Sequence, residues 1–258
     1  MLEIVYQDAS IVAIHKPAGL LVHRSMLDRH ETRFAVQLLR DQLGRHVHPA
    51  HRLDKGTSGL LLFGLTREVA AALGRAFEAR EVEKRYLAIV RGHPPLEAEI
   101  DHPLLLNPDR FERGMRPEDA QPQTALTRFR RLATVELQIA VDRYPSSRYA
   151  LLLLDPLTGR RHQLRRHMKH VSHPIIGDAT FGKGRHNRFF AEHFGVRRLL
   201  LACVGLSFRH PLSGEKIQLT APPSSDFRQV VAALGWSSAL DTELVAAWQP
   251  ILTMSEDS

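Results

Sequence analysis

The stretch His51-Arg52-Leu53-Asp54-Lys55-Gly56-Thr57-Ser58-Gly59-Leu60-Leu61-Leu62-Phe63 passes from charge and glycine directly into an apolar run. Consecutive apolar residues without alternation leave no face for water, so the stretch reads as a loop feeding a buried strand. Asp54 stands between Arg52 and Lys55, and adjacent positive charge favours an ionised carboxylate. The residues alone leave two readings of it. One is an Asx turn that closes the loop. The other is a carboxylate held beside apolar surface, suited to act as a nucleophile or base. No second carboxylate sits at an acid–base spacing, so glycoside hydrolysis by a carboxylate pair is unsupported.

Outward from this strand, Ile4–Tyr6 and Ile11–Ile14, split by Asp8-Ala9-Ser10, read as a hairpin. Ala35, Leu38, Leu39 and Leu43 suit a helix within 32–43. Val69, Leu73, Ala76 and Phe77 suit a second, capped by Thr66. Leu164, His167, Met168 and Val171 mark a third, and Phe227, Val230, Val231 and Leu234 a fourth with an Asp226/Gln229 capping box. Residues 86–90, 124–129, 149–154, 199–204 and 217–219 are further strand candidates, and Asn107–Gln123 reads as a loop. Strands outnumber helices and the two do not alternate strictly. The expected fold is α+β, with a mixed, largely antiparallel central sheet and flanking helices.

The chain of 258 residues carries a net charge of +7, which suits a polyanionic partner. A single cysteine, Cys203, excludes an internal disulfide framework and multi-cysteine metal sites. No apolar run approaches the ~18 residues of a membrane span, and no signal peptide precedes Asp8, so a cytoplasmic protein is expected. His46, His48, His51 and His167, His170, His173 lack the spacing of a zinc motif. Gly177–Gly184 nearly spells a phosphate loop, but Gly184 replaces the hydroxyl that would bind magnesium, and a glycine-rich surface turn is expected. Gly56–Gly59 misses the nucleophile elbow, which makes Ser58 a turn residue. Arg160, Arg161, Arg165, Arg166 and Lys169 crowd the third helix, Arg128 and Arg130 share a strand face, and Arg185, Arg188, Arg197 and Arg198 follow. Interleaved with Tyr86, Phe189 and Phe190, these clusters read as a nucleic-acid surface.

Four segments in order resemble the RluA-type pseudouridine synthases. They are Lys16–His23, His51–Leu62, Lys84–Gly92, and Thr158–His167 with His173–Asp178. The segments Val22–Ser25, Arg143–Tyr149, His186–Arg188 and Glu192–Gly195 are most similar to the TruC branch, the tRNA pseudouridine-65 synthases. The resemblance implies a pseudouridine synthase fold with a catalytic cleft, in a domain over 1–222. A C-terminal helical segment and polar tail over 223–258 would follow, with no separate S4-type RNA-binding domain. It implies isomerisation of a uridine in tRNA, with no cofactor and no metal. Asp54 would be the catalytic carboxylate, Tyr86 would stack on the uracil, and Arg165 would pair with Asp54. Arg52 would fill the space of the extruded nucleotide. A monomer without an obligate protein partner is expected. An rRNA substrate, or a non-catalytic basic RNA-binding protein on the same scaffold, is the alternative.

Overall fold

Ser58–Gly64 (β4) is buried throughout, as the Leu60–Phe63 run requires. The computed structural model describes residues 1–24, 31–105 and 121–245. Before β4 come β1 (Glu3–Gln7), β2 (Ile11–Lys16), α1 (Ala35–Leu43) and β3 (His48–Pro49). After it come α2 (Arg67–Glu78), β5 (Glu83–Arg91), β6 (Glu97–Asp101), β7 (Leu104–Leu105), β8 (Pro122–Gln123), β9 (Leu126–Leu137) and β10 (Ser147–Pro156). Then follow α3 (Gln163–His170), α4 (Gly184–His193), β11 (Leu201–Arg209), β12 (Lys216–Thr220), α5 (Ser225–Ala233) and α6 (Ser237–Val245).

Among the described residues, one sheet runs in the order β1-β2-β4-β11-β5-β10-β9-β6, with β3 on β4 and β12 on β11. Its pairs are antiparallel except the short β4–β11 contact. The fold is the expected mixed α+β type. Both faces of the sheet are covered, which explains the uninterrupted apolar runs. In β10, Ala150, Leu152 and Leu154 enter one core while Tyr149, Leu151 and Leu153 enter the other. The first core takes Leu39 of α1, Val69 and Leu73 of α2, and Leu164 and Met168 of α3. The second takes Phe190 of α4, Val230 and Val231 of α5, and Leu240 of α6. Trp236, between the last two helices, donates to the Thr134 carbonyl at 3.3 Å. No described helix is long and apolar enough to cross a membrane.

Thr66 caps α2 through a bond from the Val69 N–H. Other local expectations fail for identifiable reasons. The Asp226/Gln229 capping box does not form, because Ser224 precedes α5 and Asp226 is spent on Arg198. Arg160 and Arg161 lie before α3, not on it. Ser58 opens a strand rather than a turn. Pro122 and Gln123 pair with Leu105 and Leu104, so that end of the expected loop is a strand; residues 107–120 and the polar tail lie outside the described residues. Phe190 is a core residue with no exposure, which removes it from any nucleic-acid surface.

Asp155 is a half-buried carboxyl pushed up to about 7 by desolvation, against Arg85 and with help from Glu243 and Glu83. Its folded pKa lies above its unfolded value, so the neutral form stabilises the fold and that stability is lost as pH rises through about 7. Asp155→Asn is therefore expected to raise the melting temperature by several degrees at pH 8, on the order of 2 kcal/mol, and by little at pH 4. Thermal melts of both proteins across that range check it.

Candidate active site

Asp54 lies in the loop that leads into β4. Its backbone carbonyl accepts the Thr57 N–H at 3.1 Å, while its carboxylate turns away from its own backbone. The Asx-turn reading is therefore not the one adopted. Arg165, in the first turn of α3, donates through Nη1 to Asp54 Oδ2 at 3.2 Å. His162 Nε2 lies 3.7 Å from Asp54 Oδ1. Burial holds the His162 imidazole below its ordinary pKa, against the attraction of Asp54, so it is neutral at pH 7.

Arg165 is held more tightly by Asp178 than by Asp54. Its Nε and Nη2 donate to the two Asp178 oxygens at 2.7 and 2.9 Å, a two-point contact that fixes the guanidinium plane. The Asp178 side chain is 1% exposed and also accepts the N–H groups of Thr180 and Phe181. These bonds outweigh burial and hold its carboxyl below the usual range. Asn187 of α4 clamps the backbone there, accepting from Gly177 N–H and donating to the Asp178 carbonyl. Gly177 has φ +78, and a Cβ on it would collide with the Arg198 carbonyl. The expected surface turn at 177–184 is thus in part a buried clamp.

The sheet brings Tyr86 to the same place. Gly59 of β4 pairs with Cys203 of β11, which pairs with Tyr86 of β5. A Cβ at Gly59 would strike the Cys203 backbone, so the close approach needs glycine. Burial and the Cys203 thiol push the Tyr86 phenol well above its ordinary value, leaving it protonated. Lys16 lies close behind the site, bonded to the carbonyl of the residue after Asp54. It is fully buried and donates to the carbonyls of Leu20, Pro17 and Lys55 at 2.7, 3.0 and 3.3 Å. Burial pulls it down to about 7, against the attraction of Asp54.

Two cavities meet at this carboxylate. One, of about 610 Å³, is lined by Asp54, Tyr86, Leu164 and Arg165. The other, of about 430 Å³, lies toward Gly19, Gly177 and Arg197. Arg52, exposed, lines both. Asp54, Arg165, Tyr86 and Arg52 are therefore brought together, as expected. Lys16, His162 and Asp178 also belong to the site's surroundings, and the sequence alone signals no role for them, although each lies inside one of the four motif segments. Not every arginine of the cleft is free to grip a ligand, since Arg198 lines the smaller cavity but is engaged by Asp226 and Ser224. Of the clustered histidines, His51 has a structural role. His51 accepts the Leu62 N–H and stacks on Phe77, and burial drives it down to about 3.

A carboxylate at the junction of two cavities, oriented by a guanidinium and faced by a protonated phenol, suits attack on or proton removal from a ring held in the larger cavity. The sequence matches the family described as RNA pseudouridylate synthase over residues 10–170, and the chain belongs to that family of isomerases. It is 48% identical over 235 residues to tRNA pseudouridine synthase C of Pasteurella multocida, covering 91% of this chain and 97% of that one. The enzyme of the same name from Vibrio cholerae is 47% identical over 240 residues, covering 93% and 98%. Among solved structures, Human RNA Pseudouridylate Synthase Domain Containing 4 aligns with a TM-score of 0.67 at 26% identity, over 90% of this chain and 93% of that one.

Proposed function

We propose that this protein converts a uridine of tRNA, that at position 65, into pseudouridine, with Asp54 as the catalytic carboxylate. The observation that carries the reading is the Asp54 carboxylate held by Arg165 at the mouth of the Tyr86 cavity. The substrate follows from relatives near 48% identity whose names give tRNA. The reaction breaks the N1–C1′ bond, turns the uracil and joins C5 to C1′, releasing the C5 proton and protonating N1. Asp54 acts on C1′, on C6 or on the C2′ proton, and an enclosed pocket keeps the detached uracil in place.

Tyr86 stacks on the uracil. Its raised pKa makes it a phenol that donates or relays a hydrogen bond rather than a standing base. Arg165 keeps the carboxylate in place, and Arg52 takes the space of the extruded nucleotide, since chemistry on a stacked base requires extrusion. The protein acts in the cytoplasm as a monomer without an obligate partner, with 1–222 as its catalytic domain and 223–258 as a C-terminal helical segment and polar tail. A non-catalytic RNA binder would have no use for a carboxylate clamped this way. The test uses a tRNA transcript carrying tritium at uridine C5. Release of tritium to water with purified protein supports the reading; binding without release refutes it.

A further inference from the structure

A third cavity, of about 290 Å³, adjoins the larger one at Asp54 and shares Arg80, Lys84 and Pro156 with it. Its walls carry Arg80, Lys84, Arg85, Arg128 and Lys216 against two acids, Glu83 and Asp155. Arg85 lies 3.9 Å from Asp155, and Arg128 is bound to Glu99 at 2.8 Å. Among the described residues, the side chains of Arg80, Lys84 and Lys216 form no hydrogen bond or ion pair. Lys84 is half-buried, and burial together with the charge of Arg80 holds its ammonium below the ordinary value. With five cations against two acids the concavity carries an excess of positive charge, and an arriving anion relieves the repulsion among the cations.

Arg80 adds an independent sign. It follows α2 with φ 65, and the N–H groups of Arg80 and Glu81 return to Phe77 and Ala76. That cap geometry favours glycine. The same bond pattern after α5 is made with Gly235, and after α3 with the small Ser172. A large β-carbon residue in this backbone region is strained, and such strain marks positions whose side chain is wanted. The side chain wanted here is a guanidinium at the junction of two cavities.

We propose that Arg80, Lys84 and Lys216 form a phosphate track. It extends the Asp54 cleft and grips the backbone of the RNA strand flanking the extruded uridine. The inference rests on the reading of the cleft as an RNA site. The cations lie in a trough that adjoins that site, so a substrate strand balances their excess charge, and an isolated anion is not needed.

The test measures tRNA affinity against salt for wild type, Arg80→Gly and Lys216→Gln. Each variant is expected to bind about three- to tenfold more weakly near physiological salt, with the log–log slope smaller by about 0.7–0.9. Arg80→Gly is expected to melt at or above the wild-type temperature, because glycine suits the backbone there. Unchanged affinity and slope in both variants would overturn the track. So would an Arg80→Gly protein that loses thermal stability and no affinity, since Arg80 would then be structural. A wild-type protein that neither binds nor modifies tRNA would fail the functional reading itself, an outcome distinct from either.

Discussion

Asp54→Asn is expected to abolish pseudouridine formation while the protein still folds and binds tRNA. Asparagine matches the aspartate in size and keeps the backbone bond from Thr57 N–H to residue 54, so the loop into β4 is preserved. It presents a neutral amide to Arg165 Nη1, which is a weak nucleophile and a weak base. Removal of a reacting group of this kind costs roughly 10⁴-fold or more in turnover. Affinity is dominated by phosphate contacts elsewhere and should change little. Single-turnover assays with saturating tRNA, alongside thermal melts, separate the two effects. Retention of more than a small fraction of the wild-type rate would remove Asp54 from the chemistry.

Asp178→Asn is expected to damage both stability and rate. The aspartate is 1% exposed and carries the two-point contact to Arg165. With asparagine, one side-chain nitrogen meets an arginine N–H, donor against donor, and the guanidinium loses its nearer counter-charge. Breaking a buried pair from one side costs about 3–5 kcal/mol, or about 10 °C at this chain length. Arg165 would then shift against Asp54, and misplacement on that scale lowers turnover roughly 10- to 100-fold. The pH dependence has a fixed sign. The Asp178 carboxyl is held below its unfolded pKa, so its stabilisation is present above that value and lost as pH falls through the folded one. The gap in melting temperature between the two proteins should narrow on acidification. Asn187→Ala, which loosens the same loop but leaves the charges paired, should cost less.

Local signals in the chain identified what local physics decides. The apolar run after Asp54 became a buried strand, Thr66 capped its helix, and Leu164 and Met168 turned α3 toward the core. Non-local pairing was hidden. Asp178 reads as one more acid in a glycine-rich stretch until the fold sets it against Arg165. Nothing local marks Lys16 as buried, yet it is fully buried because three backbone carbonyls converge on it. Helix α4 was missed because its opening glycine and scattered aromatics carry little periodic signal, and the buried Tyr149–His186 bond helps seat it. The basic clusters misled in part, since charge along a sequence does not reveal that Arg128, Arg130 and Arg198 already hold carboxylates. The four motif segments supplied the family and the proposed roles, which composition and spacing left open.

The most direct measurement maps pseudouridine at single-nucleotide resolution in tRNA from cells lacking this protein, complemented with the wild-type or the Asp54→Asn chain. Loss of pseudouridine at position 65 on deletion, its return with wild type and its continued absence with Asp54→Asn is the predicted result. Pseudouridine at position 65 persisting in the deletion strain, or restored by Asp54→Asn, would contradict it.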